Sequence, residues 1–235
     1  VFVILASTLA AVWIYSDFDP TTERILATDS LLRQARQHIW ITFWSTIAVV
    51  GIAIPAGIVI TRPRFKRLGT PVLTVANSGQ AVPAYGLLVL FLAWLGLGAE
   101  LWGGGTTTAV AALTLYGLLP VLRNTMVGIE QVDRSVIEAG RGMGMSKRQA
   151  LLRIELPLAV SVILAGVRTA LVINVGTAAL VFLIGAGGLG ETINSGLKLQ
   201  RNTAIFVGAS LVALLALLID WIAALAERYL RPKGI

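Results

Sequence analysis

No cysteine occurs in the 235 residues, which excludes disulfides and thiolate metal sites. There is a single histidine, His38, with no Cys, Asp or Glu cluster around it, so the sequence offers no metal site. Charge is scarce. Only 13% of residues are charged while 56% are hydrophobic, and the mean hydropathy is +0.82. A soluble protein of this length needs a polar surface that this composition cannot supply. The pattern G-x-x-x-x-G-K-[ST] is absent, so the chain has no P-loop for ATP. No nucleophile stands in a pattern with a base, and no enzyme activity is expected.

What the chain does have is long apolar runs. Hydrocarbon about 30 Å thick is crossed by roughly 20 helical residues. Six runs qualify: Val1 to Tyr15, then about Ile39 to Ile60, Pro71 to Leu97, Thr107 to Leu122, Leu158 to Ile184 and Thr203 to Ala224. All should be helices, because lipid offers no partner to a bare backbone group. The expected fold is an all-α membrane protein in one domain over 1–235, with a core of about 40–224. The first run starts at Val1 with no basic leader, which suggests upstream residues and not a cleaved signal peptide.

The net charge of +7 would suggest nucleic acid in a soluble protein. In a membrane protein it reads as topology, because basic residues gather on cytoplasmic loops. One set of loops carries Arg62, Arg64, Lys66 and Arg67, then Arg123, Arg134, Arg141, Lys147, Arg148 and Arg153, then Arg228, Arg231 and Lys233. The opposite set has only Arg24, Arg33, Arg36, Lys198 and Arg201. The richer set is expected inside, with both termini. Trp13, Tyr15, Trp40, Trp44, Trp94 and Trp102 then fall at outer boundaries, and Trp221 and Tyr229 at an inner one.

One inner loop differs from the rest. "EAGRGMGMSKRQALLRIELPL", Glu138 to Leu158, is charged and jointed by glycine. A first short helix is expected from about Gln131 to Met143, with Gly144 at the turn. Ser146 and Gln149 form a capping-box pattern that opens a second helix to about Glu155. Pro157 then suits the first turn of the next span. Val136, Ile137, Leu151, Leu152 and Ile154 supply apolar surface. Two readings stand on the residues alone: an ordinary positive-inside loop, or a rigid element that docks a cytoplasmic partner.

The stretch resembles the EAA loop of ABC importer permeases, whose pattern is E-A-A-x-x-x-G, nine residues, then I-x-L-P. Glu138, Ala139, Gly140, Gly144, Ile154, Leu156 and Pro157 match it in spacing, with Gly140 in place of the second alanine. That exchange is expected to loosen the helix by about 1 kcal/mol. "AGVRTALVINVGTAALVFLIGAGGLGETINSGL" from Ala165, "ITRP" from Ile60 and "SGQAVP" from Ser78 are similar to osmoprotectant permeases for glycine betaine, choline and related compounds. The resemblance implies a type I importer permease fold and a second permease subunit, identical or a sister. It implies two ATP-binding subunits docked on the loop of about 130–157 and an extracytoplasmic solute-binding protein. It also implies a bacterial inner-membrane location. ATP would be bound by a partner, with no cofactor in this chain. A permease for another small solute such as an amino acid is the nearest alternative. An ion-coupled transporter would need inverted repeats and buried acids, and a non-transporting scaffold is a further alternative.

Several other residues invite a role. "GAGGLG", Gly185 to Gly190, fits a dinucleotide fingerprint in letters but lacks the βαβ context, so a flexible outer turn is expected. Arg168 lies eleven residues beyond Pro157, about 16 Å along a helix. A charge at that depth costs roughly 2.5–3.5 kcal/mol, so it either lines a pathway or gate or pairs structurally, with Asp220 as a candidate acid. Asn77, Gln80 and Pro83 interrupt the third run and either border the pathway or only kink the helix. Asn174 and Thr177 share a helix face and either line the path or bond a neighbouring helix. Ala53 and Gly57 suit close helix packing. His38 is expected at the outer interface.

Overall fold

A computed structural model of the chain describes residues 19–96 and 104–230, together with residues 3, 6, 7, 9 and 10. The first expected span, with Trp13 and Tyr15, lies largely outside the described residues. So do Trp102, the end of the third span at Leu97, and Arg231 and Lys233.

All regular structure among the described residues is helical. The order is α1 (Pro20–Ile25), α2 (Thr28–Ile60), α3 (Gly69–Ala81), α4 (Ala84–Gly96), α5 (Gly105–Glu130), α6 (Arg134–Gly142), α7 (Lys147–Ala150), α8 (Leu156–Ala178), α9 (Gly190–Lys198) and α10 (Asn202–Leu230). Among the described residues, four stretches are long and apolar enough to cross a membrane: α2, α5, Lys147–Ala178 and α10.

The segment from α3 to α4 is the fifth such stretch only if counted as one broken span. It bends by 108° at Val82 and Pro83. A single kinked helix from Pro71 was expected, but the break is complete. Val82 is extended, as a residue before proline prefers, and this ends α3. Residues 20–37, ahead of the second expected run, are largely helical as well. Asp19 caps α1 by accepting from the backbone N–H groups of Thr21 (2.9 Å) and Thr22 (3.2 Å), and α2 already starts at Thr28. The fifth run stops being α-helical at Ala178, and Val181–Ile184 forms a 3₁₀ turn.

α5 is the central element, packed by α2 on one side and α8 on the other. Apolar burial does not drive helices together in lipid, so close approach must. Glycine provides it. A Cβ on Gly57 of α2 would lie 2.8 Å from Thr125 Cβ of α5, as the Ala53–Gly57 spacing suggested. A Cβ on Gly166 of α8 would lie 2.9 Å from Pro120 O of α5. Val49, Ala53, Leu119, Val121, Leu122 and Ala170 fill the space between the three. Ser45, Thr114 and Thr125 donate back to their own turn, Thr125 to Val121 O at 2.7 Å, which satisfies these hydroxyls within the helix.

Candidate functional site: the loop between α5 and α8

α6 starts later than expected, at Arg134. Asp133 caps it by accepting from Ser135 N–H at 2.9 Å, and the same bond holds its carboxyl below the usual carboxylate range. The helix closes with a Schellman motif. Gly144 has φ +91°, its N–H donates to Arg141 O (3.0 Å), and Met145 N–H donates to Gly140 O (3.1 Å). The capping box forms as its letters predicted: Gln149 N–H donates to Ser146 Oγ (3.2 Å) and Ser146 N–H to Gln149 Oε1 (2.8 Å).

Beyond the cap, the structure departs from the two-piece expectation. α7 does not stop before a fresh span. Leu151–Glu155 is one π-helical turn, and Ala150, Glu155 and Leu156 all keep right-handed helical dihedrals. Lys147 to Ala178 is therefore a single 32-residue helix. Pro157 sits in the first α-turn of α8, where its missing N–H does least harm.

The motif residues gather on this element. Glu138 and Ala139 are exposed, while Gly140 is buried. A Cβ on Gly140 would lie 2.5 Å from Ile154 Cδ1 and 3.3 Å from Met145 Sδ. The glycine thus receives Ile154 and ties α6 to the π turn, a use that helix propensity alone did not foresee. Leu156, with Leu151, packs beside Ile129, Ala159 and Ile163. Of the apolar residues proposed as surface, Val136 and Leu152 face out, whereas Ile137, Leu151 and Ile154 turn half inward. Met143 is exposed instead, at 76%, and so are Arg134, Arg141, Lys147, Arg148 and Arg153 of the same segment.

One contact here was not read from the sequence. Arg62, just past the end of α2, donates to both oxygens of Glu155 at 3.1 and 2.6 Å. Glu155 is 4% exposed. The signal was present in the letters: an acid at the foot of an apolar run needs a cation, and Arg62 is among the bases on the same side.

The remaining residues lie apart from this loop. α3 packs on α5 through Gly79, whose Cβ would meet Leu115 O at 2.6 Å, and through Gln80 Nε2, which donates to Tyr116 O at 3.2 Å. Asn77, Ser78 and Pro83 consequently face outward with Tyr85. Arg168 is paired with Asp220 of α10, Nε to Oδ1 at 2.6 Å and Nη2 to Oδ2 at 2.8 Å, with Glu227 Oε2 at 3.7 Å from Nη1. Asn174 is fully buried and donates to Ser45 Oγ of α2 at 3.2 Å, while Thr177 is half-buried.

His38 does not face outward beside Trp40. It is fully buried, and Nε2 donates to Val175 O at 2.9 Å. Nor is the glycine turn loose. Ala186 to Gly190 are all buried, and α2 grips the turn: Gln37 Oε1 accepts from Gly188 N–H (3.3 Å) and Gln34 Oε1 from Thr192 Oγ1 (2.6 Å). A Cβ on Gly190 would collide with Ala179 O, so glycine at that position permits close contact.

With this geometry in hand, comparison with known proteins is informative. The chain is 39% identical over 206 residues to the carnitine transport permease protein OpuCB of Listeria monocytogenes, covering 88% of this chain and 90% of that one. It is 40% identical over 205 residues to the choline transport system permease protein OpuBB of Bacillus subtilis, covering 87% and 90%. It is also 40% identical to the osmoprotectant import permease protein OsmY of Salmonella typhimurium, covering 87% and 84%. Among solved structures, an inward-facing MetNI methionine ABC transporter has a chain that superposes with a TM-score of 0.73 at 24% identity, covering 86% of this chain and 97% of that one. The fold is thus that of ABC importer permeases. Residues 53–232 match the family described as binding-protein-dependent transport system inner membrane component, and the chain belongs to that family of multi-pass transport permeases.

Proposed function

We propose that this chain is the membrane-spanning subunit of an ATP-driven importer for a small osmoprotectant, such as glycine betaine or choline. The observation that carries the reading is the similarity, near 40% over almost nine-tenths of the chain, to permeases named for choline, carnitine and osmoprotectants. Two such subunits, identical or sisters, would flank one pathway. An ATP-binding subunit would dock beneath each, on the loop of about 130–157, and a solute-binding protein would deliver substrate from outside. ATP binds in the partner, and this chain carries no cofactor.

The docking role falls to the exposed face of the loop. Val136, Met143 and Leu152 offer exposed apolar side chains on a segment that also exposes five cations, together with Glu138 and Ala139. Gly140, Gly144, Ile154, Leu156 and Pro157 set its shape. Alternating access follows if nucleotide closure beneath moves two such loops together, because the second half of the loop, from Lys147, and α8 are one helix. The basic loops lie on the cytoplasmic side, with both termini. Asn77 and Pro83, on the open side of the broken α3–α4 pair, border the pathway. Arg168, held by Asp220, braces α8 against α10.

The test is reconstitution of the permease with its ATP-binding subunit and solute-binding protein in liposomes. Uptake of labelled choline or glycine betaine is expected only with ATP inside and binding protein outside. Uptake of an amino acid in their place would replace the substrate assignment while leaving the transporter class intact. Unaltered uptake by Glu138→Ala would remove the docking role.

A further inference from the structure

We propose that Arg62 and Glu155 are positioning residues that join α2 to the docking loop, so that ATP-driven movement reaches two spans and not one. This inference rests on the docking role proposed above.

Lys147–Ala178 is one helix, so displacement of its exposed start passes directly into α8. No covalent segment links α2 to that start: α2 ends at Ile60, and the chain then turns away through Lys66–Leu68 into α3. Among the described residues, the side-chain hydrogen bonds between the end of α2 and Leu151–Glu155 are those of Arg62 to both oxygens of Glu155, 93 residues away in sequence. Beneath the pair, Ile54 and Ile58 of α2 pack with Leu151, Leu156, Ala159 and Ile163, and with Ile129 at the end of α5. Three spans therefore converge on the foot of the loop.

Two features speak against a purely structural pair. The Glu155 side chain is only 6% exposed while that of Arg62 keeps 35%, and where a charge is buried in this way apolar side chains of like volume often stabilise as well or better. What a two-pronged guanidinium–carboxylate contact adds is fixed orientation. Glu155 is also the last residue of the π turn, and single π turns inside α-helices recur at functional positions. The ion pair sets the position of the end of this turn against α2.

The experiment uses the complete transporter in liposomes, measuring ATP hydrolysis and solute uptake together. Glu155→Gln and Arg62→Gln are expected to leave hydrolysis running while uptake per ATP falls roughly two- to thirty-fold, the range seen for residues that modulate coupling between sites. Arg62→Lys, which keeps the charge but loses the two-pronged contact, is expected to fall between wild type and Arg62→Gln. The exchange Arg62→Glu with Glu155→Arg is expected to recover a substantial part of the lost ratio. Unchanged uptake per ATP in both glutamine variants would overturn the proposal. So would a folded exchange variant no better than either single one, and should one glutamine variant fail to fold, the lysine variant and the exchange still decide. Glu138→Ala in the same assay keeps the two ideas apart. If it alone has no effect, the docking role fails; if it disrupts transport while the Arg62 and Glu155 variants do not, only the linkage fails.

Discussion

Gly142 and Gly144 lie two residues apart, both exposed and both with open space where a Cβ would go. Alanine at either position meets no neighbour, so any difference must come from the backbone. Gly142 ends α6 in helical conformation, and alanine there should stabilise the helix by about 0.5–1 kcal/mol. Gly144 holds φ +91°, where a Cβ costs roughly 1–2 kcal/mol. The two substitutions should therefore separate by about 1.5–3 kcal/mol, a factor of roughly ten to one hundred and fifty in the population of the closed turn. Hydrogen exchange reads this directly, because the amides of Gly144 and Met145 donate within the turn to Arg141 O and Gly140 O. In lipid nanodiscs, Gly144→Ala should accelerate exchange at those amides and weaken binding of the ATP-binding subunit. Gly142→Ala should do neither. Equal exchange in the two variants would refute the backbone argument and, with it, the claim that positive φ selects glycine here.

Two further predictions concern the spans. A Cβ on Gly166 would lie 2.6 Å from Asn124 Cβ and 2.9 Å from Pro120 O, whereas one on Gly176 would have nothing within 4 Å. Gly166→Ala should thus destabilise by about 1–3 kcal/mol through overpacking, offset by up to about 1 kcal/mol of helix propensity, while Gly176→Ala stabilises; unfolding in detergent compares them. Asp220→Leu leaves Arg168 with only the more distant Glu227, and should lower the melting temperature more than the double change Arg168→Met with Asp220→Leu. A double variant less stable than the single would contradict the pairing.

The features legible in the sequence were those set by neighbours in the chain. Ser146 and Gln149 are three residues apart, and their cap formed as read. Gly144 ended a helix because its own dihedral required it. Arg168 was legible for another reason: a charge at that depth must be answered, and Asp220 was the available acid. What escaped depended on residues distant in sequence. Gly140 looked like a weak helix former until Ile154 was seen against it. His38, beside tryptophans, read as interfacial, but its ring turns inward to Val175 O across 137 residues. The glycines of 185–190 looked flexible because composition cannot reveal that Gln34 and Gln37 hold that segment from another helix. The third span broke completely at Pro83 because local conformation at Val82 added to the proline.

The unbroken helix from Lys147 to Ala178 also restricts how such a chain can vary. Each residue turns an α-helix by about 100°. One residue inserted or lost between Ala150 and Pro157 would rotate the face of Lys147 to Arg153 by that angle against everything α8 touches. Leu152 would point elsewhere, and Ile154 would miss Gly140. Substitutions in this stretch are graded in effect, but a change of length is not. Past Arg62, the linker of residues 63–65 ahead of the short turn Lys66–Leu68 has no such angular constraint, because no helix runs through it. Insertions and deletions should accumulate in that linker and be purged from 151–156.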